Sequence, residues 1–451
     1  MIIKTPHSVN KFCEMFMEQM TLWQRKIIPR IIISILNSYG NPNYSVIAGK
    51  VLSEPRNRSS ISRFFGTRKF NPDRILLAAL LVLLSLRSKK QNRGVWFLVI
   101  DGTSTRRGGF TKIENAIKYR DKKENKKCGY PSTKAHMFLM GILIAPDGTR
   151  YPLPALPYYT KEYCKKNRIK FKTQVELTAQ MIREAPIPSD VDKLIVLADE
   201  YYEGAKLHQV CADMGYSYIV PSDSRRCLSD KQGRRTAVTL HQRGRHLSRK
   251  SNGLFSKIVL IEGQDKTTAY RRLSEPGRKK KRVYRAYTEN MTVAGLGLVR
   301  VTCSLKRKNK KGKQSDGETY KVLISNDMSL SVQEIVEYYE LRWQIELFFR
   351  EIKSVVGFDR FRGNSFTAFA RFVSITLLSF LFLEWTRNSV MEKTKSKHKR
   401  AIVARARTNG LVNFLQNDID EENVEHILTC FKDNNCQNKG ITMLRKMLFT
   451  A

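Results

Sequence analysis

Acidic residues are what this chain most lacks: 41 Asp and Glu stand against 81 Lys and Arg, a formal net charge of +40 over 451 residues. Such an imbalance opposes compaction by self-repulsion and serves a fold only through a polyanionic partner. No heme, flavin or acyl-carrier signature is present, so the polyanion is most simply nucleic acid. A basic ribosomal component would share the charge. It would rarely carry 41% hydrophobic residues over this length, which supports true cores in about two to four domains.

Paired cysteines are missing as well. The eight cysteines (Cys13, Cys128, Cys164, Cys211, Cys227, Cys303, Cys430 and Cys436) include no C-x2-C pair, which excludes a zinc ribbon or finger. The opening MIIKTPHSVN lacks the charged-then-apolar pattern of an export signal, so reduced thiols in a cytoplasmic compartment are expected. Long apolar runs are also wanting. Residues 75–86 and 372–385 fall short of the ~18 residues a membrane span needs and are expected as buried helices, with no membrane partner.

What is present falls into segments. Residues 1–90 read as helical, with apolar residues at helical spacing over 22–36 and a break at NSYGNPNY. A short helix, a turn at SEPRNR and a second helix opened by Ser59 and Ser60 resemble a helix-turn-helix. Arg56, Arg58, Arg63, Arg68 and Lys69 stand ready for phosphates there. Any small helical domain in so basic a chain would look similar.

At Gly94 the character changes. VWFLVID is an apolar run expected to be a buried strand ending at Asp101, followed by a Gly/Ser/Thr-rich turn. MFLMGILIA (137–145) reads as its partner strand, and a helix is expected over 173–184. KLIVLADEYYEG repeats the theme, with a strand over 194–198, Asp199 at its end and a helix from Gly204. Either aspartate alone reads most simply as an N-cap. Two of them ending neighbouring apolar strands point instead to a site, because carboxyl strand ends are where sites assemble in open α/β sheets.

Residues 222–325 hold 27 Lys and Arg against 8 Asp and Glu. Alternating runs at 257–262, 298–303 and 319–324 are separated by basic turns such as EPGRKKKR and KRKNKKGK, which predicts a β-rich segment suited to phosphate backbones. The run Arg278, Lys279, Lys280, Lys281 and Arg282 is its densest candidate DNA contact. A basic stretch at 393–407 and a polar helical end complete the chain.

The stretch the chain is organised around is YELRWQIELFFREIK, 339–353. On one continuous helix, opened by Ser331 with Glu334 in the capping-box position, Tyr339, Arg342, Glu346, Arg350 and Lys353 fall within an arc of roughly 80°. Leu341, Ile345, Phe348, Phe349, Ile352 and Val356 form a broad apolar face. A solvated face with i,i+4 ion pairs would have the same spacing. Asp101, Asp199 and Glu346, however, are the three acids that a two-metal phosphoryl-transfer site needs, since hard carboxylate oxygens hold divalent cations.

These residues resemble the DDE transposases of bacterial insertion sequences, in the subgroup whose third motif is Tyr-x2-Arg-x3-Glu-x6-Lys. That motif stands here as Tyr339, Arg342, Glu346 and Lys353, with Trp343 and Ile345 also in the family's style. The resemblance covers about 94–385. It implies an α/β fold: an RNase H-like catalytic core (mixed sheet flanked by helices) interrupted by a β-rich insertion, with a helical N-terminal DNA-binding domain. The expected division is 1–90, 91–221, 222–325, 326–390 and a basic helical tail at 391–451.

The resemblance further implies that Asp101, Asp199 and Glu346 ligate two Mg2+ ions, with Mn2+ substituting, and that Tyr339, Arg342 and Lys353 bind phosphates at the transposon end. Expected partners are double-stranded DNA, as terminal inverted repeats and target, and a second copy of the chain in the active complex. Two departures stand out. Tyr201 occupies a position that is often small in the family, and 222–325 contains no tryptophan, an indole that in hairpin-forming relatives stacks on a flipped base. Either one of Tyr270, Tyr284, Tyr287 and Tyr320 substitutes, or the hairpin step is absent, which leaves the route of second-strand cleavage open. The rival readings are a catalytically inactive or regulatory transposase-derived DNA-binding protein, and an RNase H-like nuclease without strand transfer.

Overall fold

The computed structural model describes residues 7–36, 38, 42–49, 57–66, 70–106, 113–119, 133–230, 232–250, 255–261, 281–307, 318–361 and 365–393. Arg56, Arg68, Lys69, Tyr270, Arg278, Lys279, Lys280 and the tail from 394 onward lie outside them.

Five helices come first: α1 (His7–Glu14), α2 (Leu22–Leu36), α3 (Tyr44–Gly49), α4 (Arg58–Gly66) and α5 (Pro72–Ser85). In α5 the Asn71 side chain accepts from the Asp73 N–H, and Pro72 takes a first-turn position where its missing N–H costs nothing. A short α6 (Lys89–Asn92) leads into the sheet through a Ser88–Gln91 capping box. The strands β1 (Val95–Arg106), β2 (Ile117–Tyr119), β3 (Thr133–Ile144), β4 (Arg150–Pro152) and β5 (Leu156–Pro157) follow. Then come α7 (Lys161–Asn167), α8 (Gln174–Glu184), β6 (Lys193–Leu197), α9 (Ala205–Met214) and β7 (Ser217–Pro221).

Segment 222–325 supplies β8 (Cys227–Ser229), β9 (Arg235–Thr239), α10 (Leu240–Lys250), β10 (Ser256–Ile261), β11 (Lys281–Val293), β12 (Gly297–Arg307) and β13 (Glu318–Ser325). Three helices close the described chain: α11 (Val332–Glu340), α12 (Trp343–Ser354) and α13 (Phe366–Lys393).

Among the described residues, thirteen strands join one mixed sheet in the order β2-β3-β1-β6-β7-β13-β12-β11-β8-β9, with β4 and β5 on β3 and β10 on β11. β1 runs antiparallel to β3 and parallel to β6, and β6 runs parallel to β7. The parallel pairs demand crossovers, and the helices α8 and α9 lie on them. Helix α8 approaches β3 at Gly141, where an added Cβ would stand 2.6 Å from the Met181 sulfur. β13 returns antiparallel to β7, so the basic segment continues the sheet.

One apolar core runs from the N-terminal helices through the sheet to α13. Phe12 meets Phe382 and Trp385, while Phe65 meets Phe361 and Phe372. By length and composition α13 has a span (Phe366–Ser389) able to cross a membrane, yet 83% of its most apolar window is buried inside the protein. Arg150, fully buried, pairs with Glu351 at 2.5 Å and with Glu384 at 3.1 Å, and Arg387 adds a 3.2 Å contact to Glu384. That network pins α12 to α13 and β4.

Two expectations are corrected. Strand β1 does not end at Asp101 but continues to Arg106, because β3 pairs with it as far as Arg106 opposite Ala135. Its parallel partner β6 stops earlier, with Val99 opposite Leu197. The stretch 339–353 is likewise not one helix. α11 ends at Glu340 and α12 begins at Trp343, joined by a tight turn in which Leu341, Arg342, Gln344 and Ile345 bond three residues back. Each half docks on a different surface, α11 on the β7 and β11 side and α12 on β1 and α13.

Candidate active site

The break in the helix places the motif residues. Leu341 is fully buried at the turn, and Ile345, Phe348 and Ile352 anchor α12 to the core. The opposite side of α12 faces the end of β6 and the middle of β1. Arg342 reaches both ways there: Nη2 donates to Glu346 at 2.7 Å and Nη1 lies 3.6 Å from Asp101. Burial pulls its guanidinium down, but Tyr339, Asp199, Glu346 and Asp101 together hold it above the ordinary arginine range.

Asp101 and Asp199 come together because β1 and β6 run parallel in register and both project past the last paired residues, Val99 and Leu197. Neither aspartate caps a helix with its side chain. Asp101 lies within a strand, and Asp199, at the N-terminus of a short 3-10 turn (Glu200–Tyr202), makes no side-chain cap bond. Burial pushes the Asp101 carboxyl up to about 6, the Gly102 N–H and Arg342 oppose that, and the charges of Asp199 and Glu346 add to it. Three carboxylates therefore share one field that a single guanidinium does not neutralise. Such a donor set fits hard divalent cations. In this arrangement Glu346 is turned onto Arg342, and among the described residues no three acids, histidines or cysteines converge as a ready-made metal cluster.

Tyr339 is buried with its hydroxyl beside Arg342, and burial, first of all, raises its pKa. Lys353, at the far end of α12, donates to the Ser104 carbonyl of β1 at 3.2 Å, three residues beyond Asp101. Burial lowers its pKa, with Asp359 opposing and Arg106 assisting. Arg350 is exposed on the same helix. Tyr202, nearly fully buried, has its hydroxyl 3.0 Å from where a Cβ on Gly102 would stand, so a glycine lets the two acid-bearing segments close up.

Of the basic run, Lys281 is exposed at the start of β11. Arg282 is not free: with Tyr284 and Lys306 it is bound to Glu340, at 2.6, 2.5 and 3.2 Å. The three candidate stacking tyrosines among the described residues are likewise engaged. Tyr284 is buried on Glu340, Tyr287 bonds Glu289 and packs on Phe255, and Tyr320 packs on His241. The exposed aromatics instead flank the acids: Tyr201 is 61% exposed and Trp343 53% exposed. Sequence reasoning missed Glu340, Lys321 and Tyr202. Lys321 was one of 27 like charges in its segment, and nothing local marked it.

Carboxylates from two parallel strands and a helix meet at the carboxyl end of β1 and β6 with cations around them, a donor set of the kind that suits divalent cations and phosphate. Residues 93–382 match the family model described as the transposase DDE domain, and the chain belongs to that family. It is accordingly a transposase of DNA transposition, encoded by a transposable element. Among solved structures, a cryo-EM structure of the piggyBac transposase synaptic complex with hairpin DNA aligns at 11% identity and a TM-score of 0.40. The alignment covers 97% of this chain and 84% of that one. No curated protein matches.

Proposed function

We propose that this chain is the transposase of a bacterial insertion sequence, of the Tyr-x2-Arg-x3-Glu-x6-Lys subgroup. It binds the terminal inverted repeats, hydrolyses DNA at the transposon ends and joins the freed 3′-OH to target DNA, acting in the cytoplasm as a homodimer on DNA. The observation that carries this reading is the Arg342 guanidinium set between Asp101 and Glu346, with Asp199 beside them. Three successive antiparallel strands, β2, β3 and β1, followed by β6 and β7 parallel to β1, support reading the core as RNase H-like.

Asp101, Asp199 and Glu346 would hold two Mg2+ ions, with Mn2+ as substitute, which when bound activate the attacking oxygen and stabilise the leaving one. Glu346 must first release Arg342, which then turns its fork to the phosphate. Lys353 and Tyr339 orient the strand, and the apolar floor under α12 keeps the acids in place. Segments 1–90 and 222–325 supply the DNA grip, through their excess of cations.

The test is end cleavage on DNA carrying the sequences that flank the reading frame, with Mg2+ or Mn2+. Asp101→Ala, Asp199→Ala and Glu346→Ala should each abolish cleavage while end binding stays near wild type, because affinity lies mainly in Lys and Arg contacts. A Glu346→Ala protein cutting at the wild-type rate would remove that residue from the site. Wild-type protein that binds ends and never nicks them would favour the regulatory reading. Nicking without joined product would favour a plain nuclease.

A further inference from the structure

The return strand of the basic segment reaches the catalytic edge. β13 pairs with β7 only from Leu323, opposite Pro221, to Ser325, so its earlier residues overhang the carboxyl end of β7. That is the edge past which Asp199 and Asp101 project. Lys321 lies in the overhang, opposite Ser304 of β12, with its ammonium 5.2 Å from the centroid of the Tyr339 ring. Arg342, Asp199, Glu340 and Lys306 are its electrostatic neighbours.

The other cations around the acids are already engaged. Arg342 holds Glu346, Lys353 donates to a β1 carbonyl, and Arg282 and Lys306 share Glu340. Among the described residues no carboxylate makes an ion pair with Lys321; the residue is exposed, yet burial around its ammonium, and then the Arg342 charge, lower its pKa. Its position is nonetheless held from both sides. Glu340, next to Tyr339, clamps α11 to β11 and β12, and the Tyr339 face carries the ammonium.

We infer that Lys321 is a phosphate-binding residue of the active site, contributed by segment 222–325 to the DNA strand beside the acids. This rests on the transposase reading above. A phosphate oxygen supplies the close ion pair that the neighbouring Asp199 and Glu340 do not make with Lys321, and the overhanging strand makes the basic segment part of the site, beyond a remote grip.

The test compares Lys321→Gln, Lys321→Met and Lys321→Arg with wild type. A short fluorescent duplex of arbitrary sequence is titrated at several salt concentrations, and each protein is melted. The neutral variants should lower the log–log salt slope by about one, the arginine variant should restore it, and melting temperatures should stay together. On supercoiled plasmid with Mn2+, at saturating DNA, nicking by the neutral variants should fall about tenfold or more. A wild-type slope in both neutral variants overturns the proposal, and so does lost stability with an unchanged slope, which would mark Lys321 as a structural cation–π partner of Tyr339. Binding is read apart from nicking. A wild-type chain that never nicks therefore counts against the catalytic reading, while the slope still decides on Lys321.

Discussion

Arg342 donates to Glu346 across one turn at 2.7 Å, and its second amino group stands 3.6 Å from Asp101. A cation supplied by the protein thus occupies the field in which a transposase of this family needs divalent ions. Arg342→Ala should lower the melting temperature without metal, because it leaves three neighbouring carboxylates with less compensation. Added Mn2+ should then recover more of the loss than it adds to wild type, by roughly 1 °C for each kcal/mol of difference in a chain of this length. Equal Mn2+ increments in the two proteins would show that Arg342 and the metal do not compete for the acids.

Lys353 separates a phosphate-positioning face from a plain helix surface. Its hydrogen bond to Ser104 makes it more than a solvated charge, so Lys353→Ala should cost about 1 kcal/mol of stability. Cleavage at saturating DNA should fall by far more than that, about a hundredfold, if the ammonium also orients the strand. Lys353→Arg should recover only part, since a planar guanidinium contacts phosphate differently from a point-like ammonium. Full cleavage by Lys353→Ala would leave Lys353 a structural residue.

Glu340 restrains two cations of the basic segment. Burial alone would raise its carboxyl, yet Lys306, Tyr284 and Arg282 together hold it below the usual glutamate range. Glu340→Ala strands these donors and should cost about 2 kcal/mol. It should also free Arg282 and Lys306 for DNA, steepening the salt slope of non-specific binding by about one to two. A flatter slope would mean that the clamp builds the DNA surface instead of masking part of it.

Asp327 sets a pH dependence away from the site. Burial would raise its carboxyl, but Lys193, Ser329 and Ser217 hold it down to about 2. A folded-state value below the unfolded one contributes stability above pH ~4, and that contribution is lost as pH falls toward about 2. Screening by solvent around the half-exposed Lys193 keeps the gain near 1 kcal/mol. Asp327→Asn should therefore be less stable at neutral pH by about that amount, with the difference from wild type vanishing by about pH 2. A gap unchanged between pH 6 and roughly 2 would assign the loss to packing instead.

The apolar strands that carry Asp101 and Asp199 and the charged and apolar faces around Glu346 were legible in the sequence. Each is a local pattern: an apolar run ending in an acid, or a charged face opposite Leu341, Ile345 and Phe348. The buried helices at 75–86 and 372–385 were legible for the same reason. Pairing between distant segments was not. Only β3 explains why β1 runs on to Arg106, and only the separate docking of α11 and α12 explains the break at Leu341 and Arg342.

The same holds for Lys321, for Glu340 with its three donors, and for Arg150 between Glu351 and Glu384. Spacing along a chain decides which residues share a face. Which faces then meet depends on cross-strand register and on the matching of buried charges. Both arise between residues far apart in sequence, so only the tertiary structure decided them.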